Sequence, residues 1–264
     1  MFPATFILQR YLWNATKLGQ TLAKKYSFTD KDVADISNKI VSAFQAVLAA
    51  VAGILVCKNC AKDVLRDKHA ATLIYAWLGI PYFVYDTVCM FYVDRIAKKI
   101  PPQPKYQTFL DFLRFVLRTP VIVIHHIVMA PIGFSLIVWY RDEIMSGDFF
   151  VGIIYMMETS TPFVSIRFIL SKLKMKSTLA YAVNGVCMLL FFPVFRIASV
   201  FYAWALYSDQ LKVSYYESFM DAQFVWKVCF IAALAPQIYW YVLMWKGLLR
   251  MLKPTSDGPA KKLE

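Results

Sequence analysis

The chain has 264 residues, of which 59% are hydrophobic and 17% aromatic, and its mean hydropathy is +0.50. Soluble domains are about 45–50% apolar, so this composition excludes an ordinary soluble enzyme and indicates a protein of the lipid bilayer. The net charge of +12 is typical of nucleic-acid binders, but Lys and Arg also collect in the cytoplasmic loops of membrane proteins, and we expect no nucleic-acid partner.

Residues 1–32 form an N-terminal segment whose apolar run is interrupted by Arg10 and followed by Lys17, Lys24 and Lys25. Such a run is shorter than the ~20 residues that cross a hydrocarbon slab of ~30 Å. We therefore predict an amphipathic helix at the membrane interface, with a short extra helix in the membrane as the alternative.

Six apolar segments follow, each long enough to cross the bilayer as an α-helix. They cover residues 40–56, 70–93, 120–140, 149–170, 179–206 and 224–245. Pro81 and Pro162 predict kinks in the second and fourth segments, and residues 109–117 predict an amphipathic helix on the membrane surface. The expected fold class is all-α, a polytopic membrane helical bundle, with residues 33–250 as one domain.

The distribution of charge among the loops predicts the orientation. Most of the 29 Lys and Arg residues lie before the first span, between the second and third, between the fourth and fifth, and after the sixth. By the positive-inside rule both termini are then cytosolic. Residues 251–264 form the tail, and the final four, 261–264, read KKLE, a KKxx address that receptors of the endoplasmic reticulum retrieve. We predict a multi-pass protein of the endoplasmic reticulum membrane, with the Golgi as the alternative.

Polar side chains on five different spans fall at a similar predicted depth, in the cytosolic half of the slab. His125 and His126 are the centre of this layer, because ionisable side chains inside a membrane helix are costly and mark functional sites. The other members are Asp86, Glu158, Ser160, Thr161, Asn184 and Gln237. Counting residues places Arg196 in the opposite, luminal half, where we expect it to snorkel or to pair with Asp209 or Glu217.

A histidine beside a carboxylate in a dry cavity can act as a general base or a nucleophile. We expect His125 or His126 to take a proton from an amine or hydroxyl, or to attack an activated acyl group. Asp86 or Glu158 would orient the ring. The alternative is a buried hydrogen-bond network that only holds the helices together.

Neither a metal site nor a bound cofactor is predicted. Cys57-Lys-Asn-Cys60 is a single CxxC without a second pair or a nearby pair of histidines, and zinc sites need four ligands. A transporter is also disfavoured, because the sequence has no evident inverted repeat.

Six short motifs in and around these spans form a specific combination. They are the histidine doublet, IPYFVYD at 80–86, DFFVG at 148–152, ETSTPFVS at 158–165, VNG at 183–185 and APQIYW at 235–240. Together they resemble the TLC-domain family, named after TRAM, Lag and CLN proteins, which includes the ceramide synthases. The resemblance covers residues 33–250 and points to the small ceramide-synthase-like branch of TLC-domain-containing proteins.

The resemblance implies a six-helix TLC barrel around a lipid cavity open to the cytosol. It also implies a histidine pair that transfers a fatty acyl group from acyl-CoA, as co-substrate, to a sphingoid base in ceramide biosynthesis. The expected catalytic residues are His125, His126, Asp86 and Glu158, and the expected substrate-binding residues are Tyr85, Ser160, Thr161, Asn184, Arg196 and Gln237. A non-catalytic lipid-binding protein that controls membrane lipid composition is the alternative, and a homodimer is compatible with either.

One departure from the synthases concerns the acid partners of the histidines. The synthase signature continues to a His-Asp pair and a further Asp on the next helix. Here the corresponding region reads GDFFVGIIYMMETSTP, in which Glu158 is the one intramembrane carboxylate. The sequence also has no soluble insert before the first span.

Overall fold

The structure, a computed structural model, describes residues 1–139, 141 and 147–252. Within these ranges every regular element is helical. The α-helices are α1 (Phe2–Ala15), α2 (Lys17–Tyr26), α3 (Asp30–Asn59), α4 (Ala70–Ala97), α5 (Lys105–Arg118), α6 (Pro120–Ile127), α7 (Phe134–Val138), α8 (Phe149–Met156), α9 (Thr161–Lys172), α10 (Leu179–Pro193), α11 (Ser199–Leu211), α12 (Tyr215–Asp221) and α13 (Phe224–Leu252). The predicted address at 261–264 lies outside the described residues.

Three of the predicted spans are not uniform α-helices. A π-helical turn, Val128–Gly133, joins α6 to α7, and a second π-helical segment, Val194–Ala198, joins α10 to α11. A 3₁₀ turn, Met157–Ser160, joins α8 to α9 directly before Pro162, at the position where a break was predicted. In contrast, α4 runs through Pro81 without interruption.

Within the described residues, four helical segments are long and apolar enough to cross a membrane. They are Asp30–Asn59, Ala70–Ala97, Phe149–Lys172 and Leu179–Leu211, with 30, 28, 24 and 33 residues. Residues 120–138 of the third predicted span and the whole of the sixth are helical as well, and the 29 residues of α13 reach about 43 Å at 1.5 Å per residue. The all-α polytopic membrane bundle is therefore confirmed, and the six-helix barrel stays a prediction.

Helix α3 begins well before the apolar run that predicted it. Thr29 and Asp32 form a capping box, in which the Thr29 hydroxyl accepts from the Asp32 N–H at 3.2 Å and the Asp32 carboxylate accepts from the Thr29 N–H at 3.0 Å. Reciprocal caps of this kind satisfy two orphan N–H groups at a helix start. The longer helix brings Asn38 into the buried part of the bundle.

Small residues on α3 let other helices approach it closely. Ala34, Ala46 and Ala49 are fully buried, and a Cβ added at Gly53 would lie 2.7 Å from the backbone oxygen of Gly152 in α8. Close backbone approach through small residues is how membrane helices gain packing energy without a hydrophobic driving force. Helix α3 is consequently the centre of the bundle, in contact with α4, α8 and α9.

Helix α1 packs lengthwise on α4. The Phe2 ring lies 5.4 Å from the Tyr82 ring, Phe6 lies 6.3 Å from Tyr92, and Arg10 donates to the Tyr92 hydroxyl at 3.2 Å. The two helices therefore run in the same direction. The 14 residues of α1 span about 21 Å, which is less than the ~30 Å of the hydrocarbon slab.

A buried ion pair fixes the loop at the far end of α3. The Asp148 carboxylate is almost fully buried and accepts from Arg141 Nε at 2.7 Å and from the His69 N–H at 2.8 Å. The Asp148 N–H donates to the Asp67 carbonyl at 3.0 Å. These bonds tie the loop between α3 and α4 to the start of α8.

Candidate functional site

The two histidines lie where the third predicted span leaves α-helical geometry. His125 and His126 are in the last turn of α6, and the π-helical turn that follows contains Pro131. Because proline has no N–H, the carbonyl four residues earlier loses its α-helical donor. π-helical turns are frequent at functional sites, and this one directly follows the doublet.

His126 is held between two side chains of α4. The residue is 5% exposed, its Nδ1 lies 3.1 Å from the Thr87 hydroxyl, and its Nε2 lies 3.8 Å from Asp86 Oδ2. The Thr87 hydroxyl also donates to the Phe83 carbonyl at 2.9 Å. A hydroxyl has one hydrogen, so we assign the proton of neutral His126 to Nδ1, and Nε2 then presents a lone pair toward Asp86.

Asp86 is connected to a chain of hydrogen bonds that reaches α3. Its Oδ1 accepts from Asn38 Nδ2 at 2.7 Å, and Asn38 Oδ1 accepts from the Tyr85 hydroxyl at 2.9 Å. Asn38, Tyr85, Asp86, Thr87 and His126 form the group that we call the histidine cluster. Asn38 and Thr87 were missed, and the capping box at Thr29 is the signal that could have placed Asn38 inside a buried helix.

His125 has an aromatic environment. Its ring centroid lies 5.5 Å from that of Trp240 in α13 and 6.2 Å from that of Phe83, both nearly perpendicular, and 5.8 Å from that of His126. Trp240 was also missed, although it ends the APQIYW motif. The doublet thus presents one ring fixed by polar groups and one ring packed among aromatic side chains.

A second polar group surrounds Arg196, whose side chain is buried. Its Nε donates to Ser160 Oγ at 2.8 Å, its Nη1 to Gln237 Oε1 at 3.0 Å, and its Nη2 to Glu158 Oε1 at 3.3 Å and to Thr161 Oγ1 at 2.7 Å. Thr161 in turn donates to Glu158 Oε2 at 2.6 Å. We call these five residues the arginine cluster; four of them were predicted members of the polar layer.

The predicted position of Arg196 was wrong. It lies at the depth of Glu158 and pairs with it, rather than with Asp209 or Glu217. Residue counting assumed a straight α-helix, whereas a 3₁₀ turn at 157–160 and a π-helical segment at 194–198 change the rise per residue. A buried guanidinium also needs a carboxylate and further acceptors, and those are available in the polar layer.

Glu158 has a different direct partner from the one expected. Its two oxygens accept from Arg196 and Thr161, and its charge also interacts electrostatically with both histidine rings. Asp86 is therefore the carboxylate that lies next to a histidine ring.

Asn184 lies at a contact between helices. Its side-chain amide donates to the Phe163 carbonyl at 2.8 Å, and the neighbouring Gly185 leaves room for Arg167, whose Nη1 would lie 2.4 Å from an added Cβ. The VNG motif thus joins α10 to α9. The substrate-binding roles of Asn184, Tyr85 and the arginine cluster stay predictions.

No group of three or more metal-ligating side chains is found within residues 1–139, 141 and 147–252.

A family model described as TLC domain matches residues 35–246, a range that contains every member of the histidine and arginine clusters. The predicted resemblance to the TLC-domain family is thereby confirmed, and the ceramide-synthase-like branch stays a prediction. No solved structure matches the chain.

Proposed function

Because the chain belongs to the TLC-domain family, a family tied to lipids in membranes, we propose that it transfers a fatty acyl group from acyl-CoA to the amine of a sphingoid base. The product would be a ceramide. The reaction would take place at His126, with Asp86 beside it and His125 next to it.

One observation carries this proposal. His126 Nε2 and Asp86 Oδ2 lie 3.8 Å apart, and both are hydrogen-bond acceptors with the His126 proton assigned to Nδ1. A nitrogen placed about 2.9 Å from both atoms would satisfy both, if it carries two hydrogens. A primary amine meets this requirement, whereas an alcohol has a single hydrogen to donate.

The steps of the transfer follow from this placement. The amine nitrogen attacks the thioester carbonyl carbon and forms the C–N bond, while its proton passes to His126 Nε2. The tetrahedral intermediate then collapses, the C–S bond breaks, and the leaving thiolate takes the proton from His126. Asp86 stabilises the transient imidazolium, and Thr87 keeps the ring in place through Nδ1. His125 is adjacent and would contact the acyl group.

The alternative is a non-catalytic lipid-binding protein that controls membrane lipid composition. The arginine cluster favours it, because the charges of Arg196 and Glu158 neutralise each other. Ser160, Thr161 and Gln237 accept the remaining hydrogen bonds of the guanidinium. Polar networks of this kind hold membrane helices together without chemistry.

The deciding experiment uses the purified chain in nanodiscs with acyl-CoA and a sphingoid base, and ceramide is measured by mass spectrometry. We expect ceramide from the wild type and about 10²-fold less or lower from His126→Ala and His126→Gln, since a positioned base contributes 10²–10⁴. His69→Asn, in the loop before α4, is the control and should leave turnover unchanged.

A sphingoid base with a monomethylated amine sharpens the test, because its nitrogen can still form an amide but has one N–H, which cannot serve both His126 Nε2 and Asp86 Oδ2, and it should react far more slowly. If the wild type forms ceramide only at the background rate with acyl-CoA of every chain length offered, the proposed acyl transfer is refuted. If such a protein still co-purified with lipid, and His126→Gln still bound it, the lipid-binding alternative would stand.

We also propose the endoplasmic reticulum membrane as its location, with both termini in the cytosol. This orientation would give acyl-CoA access from the basic end of the bundle, near Lys98 and Lys99. An epitope inserted after Lys99, between α4 and α5, should be accessible to antibody after selective permeabilisation of the plasma membrane. An epitope accessible only after the internal membranes are opened would contradict the orientation.

A further inference from the structure

A groove between α1 and α4 lies outside the arginine cluster and touches the histidine cluster only at Tyr85. Its volume is ≈ 1110 Å³, above the ~1,000 Å³ upper end of ordinary small-molecule pockets. Its walls are apolar, with Phe6 and Ile7 on α1 and Trp77, Val84 and Val88 on α4. Ile7 is 66% exposed and Val84 57%, so the groove is open on its outer side.

The length of the groove matches one leaflet of a bilayer. Its lining on α4 extends from Trp77 to Tyr92, about 22 Å at 1.5 Å per residue. Half of a bilayer, with its headgroup region, is about 20–22 Å thick. An amphiphile that fills the groove from end to end therefore has the height of a whole membrane lipid.

One end of the groove carries a pair of opposite charges. Arg10 forms a salt bridge with Asp30, the first residue of α3, and donates to the Tyr92 hydroxyl at 3.2 Å. The Arg10 side chain is 18% exposed and that of Asp30 is 59% exposed. This charged end of the groove lies near the C-terminal end of α4. A lipid whose acyl chains lie along Val84 and Val88 would place its headgroup there.

The charge pair selects among headgroups. A zwitterionic headgroup can place its phosphate at Arg10 and its ammonium group at Asp30, so both charges are complementary. A headgroup with net negative charge would gain Arg10 but would be repelled by Asp30. We propose that the groove between α1 and α4 is a binding site for one zwitterionic phospholipid. This site does not depend on acyl transfer, because its chemistry involves neither histidine.

The test uses the full chain in detergent with phosphatidylcholine that carries a photoreactive group in one acyl chain. Labelled peptides are identified by mass spectrometry, and phosphatidylglycerol with the same chains and photoreactive group is the comparison. In the wild type we expect label on residues of α1 and α4, with phosphatidylcholine about fivefold above phosphatidylglycerol, the ratio that one exposed ion pair supports.

Two variants test the two halves of the site. Val84→Trp fills the apolar part and should remove most of the label, whereas Val183→Trp, at a residue on α10 that is 51% exposed and outside the groove, should not. Asp30→Asn removes the negative charge and should bring the phosphatidylcholine to phosphatidylglycerol ratio close to one. Thermal unfolding of each variant shows whether it is folded.

Three results would overturn the proposal. They are label spread evenly over all lipid-facing helices, equal labelling of the Val84→Trp and Val183→Trp variants, and a wild type that prefers phosphatidylglycerol. Should Val84→Trp fail to fold, Ile7→Trp on the opposite wall replaces it with the same expectation.

Discussion

Arg196 and Glu158 meet where both of their helical segments depart from α-helical geometry, with Nη2 and Oε1 3.3 Å apart. Glu158 lies in the 3₁₀ turn between α8 and α9, and Arg196 lies in the π-helical segment between α10 and α11. Both side chains are largely buried. Desolvating either ion alone costs several kcal/mol, so the pair fixes how these two segments align.

Removing one member of this pair should be worse than removing both. Arg196→Met leaves the Glu158 carboxylate buried without its counter-ion, and such losses amount to about 3–5 kcal/mol. The double change Arg196→Met, Glu158→Met should recover most of that stability, because neither charge is left. Unfolding in detergent, followed by circular dichroism, measures the four corners of the cycle.

Additive losses in this cycle would show that the two side chains do not stabilise each other. In that case the helices would be aligned by apolar packing, and the pair would have no structural role.

Thr87 should be a positioning residue for His126. Thr87→Val keeps the shape of the side chain but removes the acceptor for Nδ1–H, which frees the ring to turn and moves the proton to the wrong nitrogen. If the proposed transfer occurs, we expect kcat to fall about tenfold or more, a part of what a positioned base contributes, with KM nearly unchanged.

Thr87→Ser provides the matched control, because it restores the hydroxyl and should restore most of the turnover. Equal activity of Thr87→Val and the wild type would remove Thr87 from the mechanism. A higher KM with unchanged kcat would assign Thr87 to substrate binding.

The sequence predicted the membrane spans well because apolar runs define them. The predicted starts at residues 70, 120, 149, 179 and 224 coincide with the first residues of α4, α6, α8, α10 and α13. Helix α3 starts at Asp30, before the apolar run at residues 40–56, because the Thr29–Asp32 capping box begins it. Asn38 was missed for the same reason.

The site was predicted in composition but not in pairing. His126 and Asp86 are adjacent as expected, and Ser160, Thr161 and Gln237 share one depth. The partner of Arg196 could not be derived, because the position of a long side chain depends on non-α turns whose occurrence no periodicity reveals. Pairing in a membrane interior follows from local backbone geometry as well as from depth.

Gly53 should be sensitive to substitution. A Cβ there would lie 2.7 Å from the Gly152 carbonyl and 2.7 Å from Met156, so Gly53→Ala has to push α3 away from α8. Overpacking of this kind costs about 1–3 kcal/mol. Gly247→Ala, where nothing lies within 4 Å, is the control and should be neutral or stabilising by about 1 kcal/mol or less. The measurement is the thermal unfolding temperature of each variant. Equal unfolding temperatures for Gly53→Ala and Gly247→Ala would contradict this expectation.

Cys60, just beyond α3, should react slowly with alkylating reagents. Burial of the side chain, with the nearby Asp148 charge, raises the pKa of this thiol to about 11. The thiolate is the reactive form, so below that pKa the rate should rise about tenfold per pH unit, and at pH 8 it should be far below the rate of an ordinary thiol with a pKa of about 8.5.

The measurement is maleimide labelling of a Cys57→Ser variant at several pH values, with the labelled peptide containing Cys60 identified by mass spectrometry. Denatured protein serves as the control and should react at the rate of a free thiol. Fast labelling of Cys60 in the folded protein at pH 8 would show that its surroundings are more open than the structure has them.

The arginine cluster has a consequence for how the chain enters the membrane during synthesis. Glu158 precedes Arg196 by 38 residues in the sequence. The segment Phe149–Lys172 therefore leaves the ribosome before the arginine that neutralises its carboxylate has been synthesised. A lone acidic residue at the centre of a membrane helix opposes insertion by about 2.5–3.5 kcal/mol. We therefore expect insertion of this segment to be delayed until Leu179–Leu211 has been synthesised, so that the two segments enter the bilayer together as a helical hairpin.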